Sequence, residues 1–214
     1  MEFNYAREAL KFLIKEYEIQ EIYIPYYLCD VIRHAVVEVG AKPIFYHVDD
    51  NFMPAVEFPK NAYILYPNYF GICEKNVRKL TQIYPKLIVD NAHAYYAEPM
   101  GFASFNSIRK FLPVEKGATL WIGNGQNRVK KDYKRREKFF DYHKKLVDNL
   151  LKIELEEDEI PFCYPYLAKT EEKADKLVEK LTEQGLIVYR YWNRLPKTYN
   201  EYKFFSRLVP IPLG

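Results

Sequence analysis

Through its first 125 residues this chain alternates short apolar runs with segments of helical period, and that alternation limits its possible folds more than any other feature. EIYIP (21–25), KPIFYHVD (42–49), NAYILYPNYFG (61–71) and the opening of KLIVDNAHAYY (86–96) read as strands. Residues 4–17 place Ala6, Leu10, Leu13, Ile14 and Tyr17 on one helical face. Residues 29–39 read as a helix closed by Gly40, and residues 74–84 as a helix stopped by Pro85. ASFNSIRKF and ATLWIG add two extended runs around Pro113 and Gly117. Strands that are apolar at nearly every position must be covered on both faces, and intervening helices supply that cover by making successive strands parallel. The expected fold class is therefore α/β, a mostly parallel mixed sheet flanked by helices.

In such sheets ligands gather at the carboxyl ends of the strands. That rule marks Pro25–Cys29, Asn68–Gly71 and Asp90–His93 as pocket walls. The pattern changes near Gly123–Gly125. Beyond it a charged helix is expected over 128–152, an acidic linker over 154–159 and a strand over 161–168. A helix over 170–184 and a strand over 186–192 complete a small α+β lobe. The expected division is 1–125 for a large α/β domain and 126–214 for a reduced C-terminal one.

The net charge of +3 is too small to imply a nucleic-acid partner. Residues 128–145 hold nine Lys/Arg against three Asp/Glu, which reads as a solvated helix face. Tyr133, Phe139, Phe140 and Tyr142 recur there at helical spacing, which suits packing better than base stacking. Cys29, Cys73 and Cys163 are scattered without metal-ligand spacing, as expected of free thiols in a reducing cytoplasm. The charged N-terminus reads as neither a signal peptide nor a membrane span.

Two short stretches carry chemistry. VDNAHA (89–94) puts Asp90 at the end of an apolar strand, and SIRK (107–110) follows with Ser107 and Lys110 in a loop. A lysine amine is the natural imine former for a carbonyl cofactor once burial favours its neutral form. Pyridoxal 5′-phosphate further needs an anion beside its ring nitrogen and hydroxyl or N–H donors for its phosphate. Asp90 can serve the first need and Ser107 the second.

The stretch DNAHAYYAEPMGFASFNSIRKFLPVEKGATLW resembles the DegT/DnrJ/StrS family of sugar aminotransferases, of fold type I. The family's pattern there is Asp-x-Ala-His/Gln, Gly-Asp, Ser-x-x-Lys and a Gly-rich segment. YAREAL (5–10), IYIPYYLCDVIRHAVVEVGAKPIFYHVDDNF, PNYFG, KRREKFFDYHKKL, GLIVYRYWNRLP and SRLVPIPLG resemble further family segments in the same order. The resemblance implies Lys110 as the imine-forming residue, Asp90 as the partner of the ring nitrogen, His93 beside the ring and Ser107 at the phosphate. It adds Ala6 and Arg7 at the start of the first helix, and Tyr27 or a neighbour in PYYLC as a stacking residue. Tyr26 and Tyr27 could equally pack in the core.

The implied activity is amination of a keto group on a nucleotide-linked sugar with glutamate as donor. It would take place in a homodimer with a shared site, where polar residues of the other subunit within Asn124–Arg128 help hold the phosphate. The chain departs from the pattern in places. Ser-Gly becomes Tyr5-Ala6, Gly-Asp becomes Gly101-Phe102 and Gly-Gly becomes Gly117-Ala118. It also reads as a shortened member, lacking the family's N-terminal arm and much of the small lobe. The alternative is a non-catalytic protein of this fold acting as a binding or partner subunit.

Overall fold

The computed structural model describes residues 1–193 and 195–214. A two-residue strand β1 (Glu2–Phe3) leads into α1 (Ala6–Glu16), β2 (Glu21–Pro25), α2 (Asp30–Glu38) and β3 (Lys42–Tyr46). Then come β4 (Ile64–Pro67), α3 (Glu74–Ile83), β5 (Leu87–Asn91), β6 (Ala103–Asn106) and β7 (Ala118–Ile122). These strands form one seven-stranded sheet of order β1-β7-β6-β5-β4-β2-β3. The five strands from β3 to β6 run parallel, whereas β7 and β1 add antiparallel to one edge. The remaining elements are α4 (Tyr133–Lys145), β8 (Cys163–Leu167), α5 (Glu171–Glu183), α6 (Tyr202–Arg207) and β9 (Leu208–Pro212). β8 and β9 pair as a separate two-stranded antiparallel sheet.

Strand alternation divides the interior in two. Leu65 of β4, Ile88 of β5 and Phe105 of β6 face Leu10 and Leu13 of α1 and Ile32 and Val36 of α2. Ile64, Tyr66, Leu87 and Val89 point the other way, onto Val77 and Leu80 of α3. That second core also takes Cys163, Leu167, Phe204 and Leu208 from the C-terminal part. The opposite faces of β8 and β9, with Tyr164, Tyr166, Val209 and Ile211, pack on Phe139 of α4 and Ala174 and Leu181 of α5. Each such aliphatic or aromatic burial contributes about 1.5–3 kcal/mol. The small sheet thus serves both cores, one through each face. No helix among the described residues is long and apolar enough to cross a membrane.

Three expectations fail locally. The helix expected over 128–152 is confined to α4. Beyond it Asn149 turns the chain: its Oδ1 accepts from Leu151 N and Leu167 N, and Leu150 N donates to Leu167 O, so the segment follows the end of β8. The strand expected over 186–192 does not form. Leu186 N closes α5 by donating to Leu181 O, and Trp192 is left-handed at φ 61°, which no strand accommodates. SIRKF is not extended either, because Ile108–Lys110 form a single 3-10 turn. α6 and β1 have no counterpart among the expected elements.

Glu159 ties the connection before β8 to the main domain. Its Oε1 accepts from the backbone N–H of Glu74, the first residue of α3, at 2.8 Å, and its Oε2 accepts from Glu156 N at 3.1 Å. It therefore caps a helix from far along the chain. Burial pushes its pKa up to about 7, against the two N–H donors, and the charges of Glu74 and Glu156 add to the rise. An acid whose folded pKa is raised holds its proton more tightly when folded. Its contribution to stability is full below the unfolded value and is lost as pH rises toward about 7. Between pH 5 and 8 the melting temperature of Glu159→Gln should therefore fall less than that of the parent protein, as measured by thermal unfolding in matched buffers.

Candidate active site

The register of the parallel strands builds the site. Asp90, in β5, pairs with Pro67 of β4 on one side and Phe105 of β6 on the other. It shares the parity of Ile88, and so points to the face covered by α1. Ser107 lies two residues beyond Phe105 and keeps that direction. The 3-10 turn after it carries Lys110 back over the strand ends. Asp90, His93, Ser107 and Lys110 line one cavity, together with Ala6 and Arg7 at the start of α1.

Asp90 is buried, and its Oδ1 accepts from Ala92 N at 2.8 Å. Its other oxygen has no partner among the described residues. Burial raises its pKa, opposed by the Ala92 N–H and the charge of Lys110. Burial likewise lowers the Lys110 pKa, opposed first by Asp90. Each group is thus pushed toward neutrality by desolvation and toward charge by the other. The Lys110 ammonium lies 5.9 Å from the centroid of the Phe162 ring.

His93 stacks on Phe162 at 4.5 Å and 10° and is nearly parallel to Trp192 at 5.8 Å and 8°. Burial, with the charge of Lys110, holds its imidazole well below the usual histidine pKa. His93 is therefore neutral at physiological pH, with one ring nitrogen able to donate and one to accept.

Of the other expected residues, Tyr27 stays out of the cavity. It shares the parity of Tyr23 and enters the core on the far face of the sheet, where its ring meets Trp192 edge-on at 4.4 Å. The cavity wall in that segment is formed by Leu28 and Cys29. Tyr26 lines a neighbouring cleft with Tyr199 and Arg33. Within Asn124–Arg128, Asn124 Oδ1 accepts from Gly101 N, and Asn127 Nδ2 donates to Tyr95 O and Ala97 O.

Trp192 and Arg109 also line the cavity and were not singled out as site residues, whereas Cys29, which lines it too, lies in a segment marked by the strand-end rule. The position of Arg109 inside SIRK was a usable signal. Trp192 had none, since a distant loop brings it in. Asn68 was marked by the strand-end rule. Its Oδ1 accepts from Cys73 N at 3.0 Å, which leaves its amide donors without a partner among the described residues.

The donor set suits pyridoxal phosphate. A buried carboxylate with a free oxygen, an amine whose pKa burial lowers, the hydroxyl of buried Ser107 without a partner among the described residues and the open N-terminal amides of α1 converge on one cavity.

No family model matches the chain, and no curated protein matches it in sequence. Solved structures do match. A DegT/DnrJ/EryC1/StrS aminotransferase from Brucella abortus superposes with a TM-score of 0.74 at 15% identity, over 99% of this chain and 80% of that one. PseC of Helicobacter pylori, an aminotransferase involved in the biosynthesis of pseudoaminic acid, gives 0.70 at 17%, over 99% and 80%. NtdA of Bacillus subtilis, with bound cofactor PMP, gives 0.73 at 15%, over 99% and 68%. Along its whole length the chain has the fold of the DegT/DnrJ/EryC1/StrS aminotransferases.

Gly71 holds the turn behind His93. It is left-handed at φ 66°, and a Cβ there would meet the His93 carbonyl oxygen at 2.4 Å. Gly71→Ala should destabilise the fold by about 2–5 kcal/mol, as left-handed strain and overpacking combined, measured by denaturant unfolding.

Proposed function

We propose that the chain binds pyridoxal phosphate through Lys110 and catalyses amino transfer to a keto group, with a sugar as the acceptor class and glutamate as donor. The observation that carries this reading is the convergence of Lys110 and Asp90 on one cavity, where burial acts on both. The likeness to sugar aminotransferase structures supports the acceptor class, and NtdA with its bound PMP supports the cofactor.

The bound cofactor supplies an electron sink for chemistry at the amino-bearing carbon. The residues of the chain do the rest. Lys110 Nζ, brought toward its neutral form by burial, provides the attachment point and then takes and returns the proton at that carbon. The free Asp90 oxygen holds a proton on the ring nitrogen, and the match of buried opposite charges keeps it there. Neutral His93 offers a donor or an acceptor at the ring without adding charge. Ser107 and the N-terminal amides of α1 take the phosphate. Trp192 walls the site with apolar surface that excludes water, and Phe162 stacks on His93 to hold its ring. In this reading residues 1–125 bind the cofactor, residues 126–214 close the site from the other side, and a homodimer completes it.

Purified protein mixed with pyridoxal phosphate should develop the visible absorbance of an imine. Borohydride reduction and peptide mapping should then place the adduct on Lys110, and Lys110→Ala should show none. Glutamate should bleach the band. A folded protein with no adduct on Lys110 overturns the reading, and an adduct that no amino donor bleaches assigns a binding role without transfer. Asp90→Asn should retain the adduct but slow bleaching by about a hundredfold or more, read in single-turnover absorbance traces.

A further inference from the structure

The sequence lacks the hydroxyl and glycine that the resembling family carries at the start of α1, and the structure shows what stands there instead. Tyr5 is the N-cap of α1 and makes no side-chain capping bond. The Arg7 guanidinium lies 4.2 Å from the centroid of the Tyr5 ring, and that of Arg109 lies 5.9 Å from the same centroid. Neither guanidinium has an ion pair or hydrogen bond among the described residues. Glu38 feels the charge of Arg7 but pairs directly with Lys11 at 2.6 Å.

Both arginines line the cavity that holds Lys110. Among the described residues, the charged side chains on its wall are Arg7, Arg109, Lys110 and Asp90, three basic and one acidic. Glu8, in the first turn of α1, is not among them. The cavity is thus short of negative charge, beside a helix N-terminus that itself favours an anion. Ser107 adds an independent sign. It is 6% exposed, it lines the same cavity, and its hydroxyl has no partner among the described residues.

We propose that Arg7 and Arg109, steadied by the Tyr5 ring, form a two-guanidinium site for a phosphomonoester dianion, completed by Ser107 and the first amides of α1. Guanidinium donors pair with phosphate oxygens in a planar fork that a hydroxyl cannot supply. Cation–π attraction to the Tyr5 ring, close for Arg7 at 4.2 Å and at the edge of reach for Arg109 at 5.9 Å, favours both at the cavity wall before the anion arrives. A phosphomonoester carries about −1.5 to −2 charges at neutral pH, which balances the excess on the wall. The phosphate could come from the cofactor or from a separate phosphorylated molecule. Assigning it to the cofactor rests on the function proposed above.

The test uses the full chain and its Arg7→Gln, Arg109→Gln and Arg109→Lys variants, each checked for folding by circular dichroism. Imine absorbance is titrated with pyridoxal phosphate and, separately, with pyridoxal, which lacks the phosphate. Each Gln variant should weaken pyridoxal phosphate binding by about tenfold or more and leave pyridoxal within about twofold, as expected when one charge-assisted contact is lost. Arg109→Lys should recover part of the loss. Equal effects on both aldehydes, or none, overturn the proposal.

If wild type forms no imine with either aldehyde, the cofactor reading fails by itself. Inorganic phosphate then decides the anion site. A melting-temperature rise at constant ionic strength that is lost in the Gln variants upholds it, and no rise overturns it. Where imine does form, phosphate that competes with pyridoxal phosphate identifies the cofactor's own group as the occupant. Phosphate that binds alongside identifies a second phosphorylated ligand.

Discussion

The parallel pairing of β5 with β6 is the constraint on which the site depends. It sets Asp90 level with Phe105 and Asn91 level with Asn106. A slip of one residue would turn Asp90 to the opposite face of the sheet and part it from Ser107. The register is held by apolar side chains that are buried on both faces, Ile88 and Phe105 toward α1 and Leu87 and Val89 toward α3. The apolar covering that stabilises the sheet therefore also aims the carboxylate. The 3-10 turn at Ile108–Lys110 then needs only one turn of chain to bring the amine over the strand ends.

Burial does a second service at that edge. It drives Asp90 and Lys110 toward neutrality while each supports the other's charge. The aromatic wall contributes to the same end. Phe162 comes from the connection just before β8, and Trp192 from the loop after α5. The C-terminal part thus brings aromatic surface against His93, beside polar groups that come from the main sheet. Its own anchorage runs through β8, which presents Cys163 and Leu167 to the main core and Tyr164 and Tyr166 to the smaller one. Glu159 adds a polar tie to α3.

Much of this was legible in the order of the residues. Period-2 and period-3.6 apolar patterns encode which side of a strand or helix is buried, and for the first 125 residues they gave the class of sheet and most of its elements, though not β1 or the 3-10 turn at Ile108–Lys110. The strand-end rule marks Asp90, His93 and Asn68, which line one cavity in the fold. Tyr27 shows where the rule stops. It lies in a marked segment, but strand parity turns it into the opposite core. The C-terminal part was read less well, because Leu186–Trp192 has strand composition but finds no strand to pair with.

By itself, then, the sequence determined the alternating sheet, the acid at the end of β5 and the lysine one turn beyond β6. Local periodicity and local spacing are properties of neighbouring residues, so they survive without a fold. Only the tertiary structure decided which distant segments meet at that edge. It set Trp192 and Phe162 around His93, took Tyr27 away, and gathered Arg7 and Arg109 on the ring of Tyr5. Such contacts join residues tens or hundreds of positions apart, and packing of whole elements fixes them where no local pattern can.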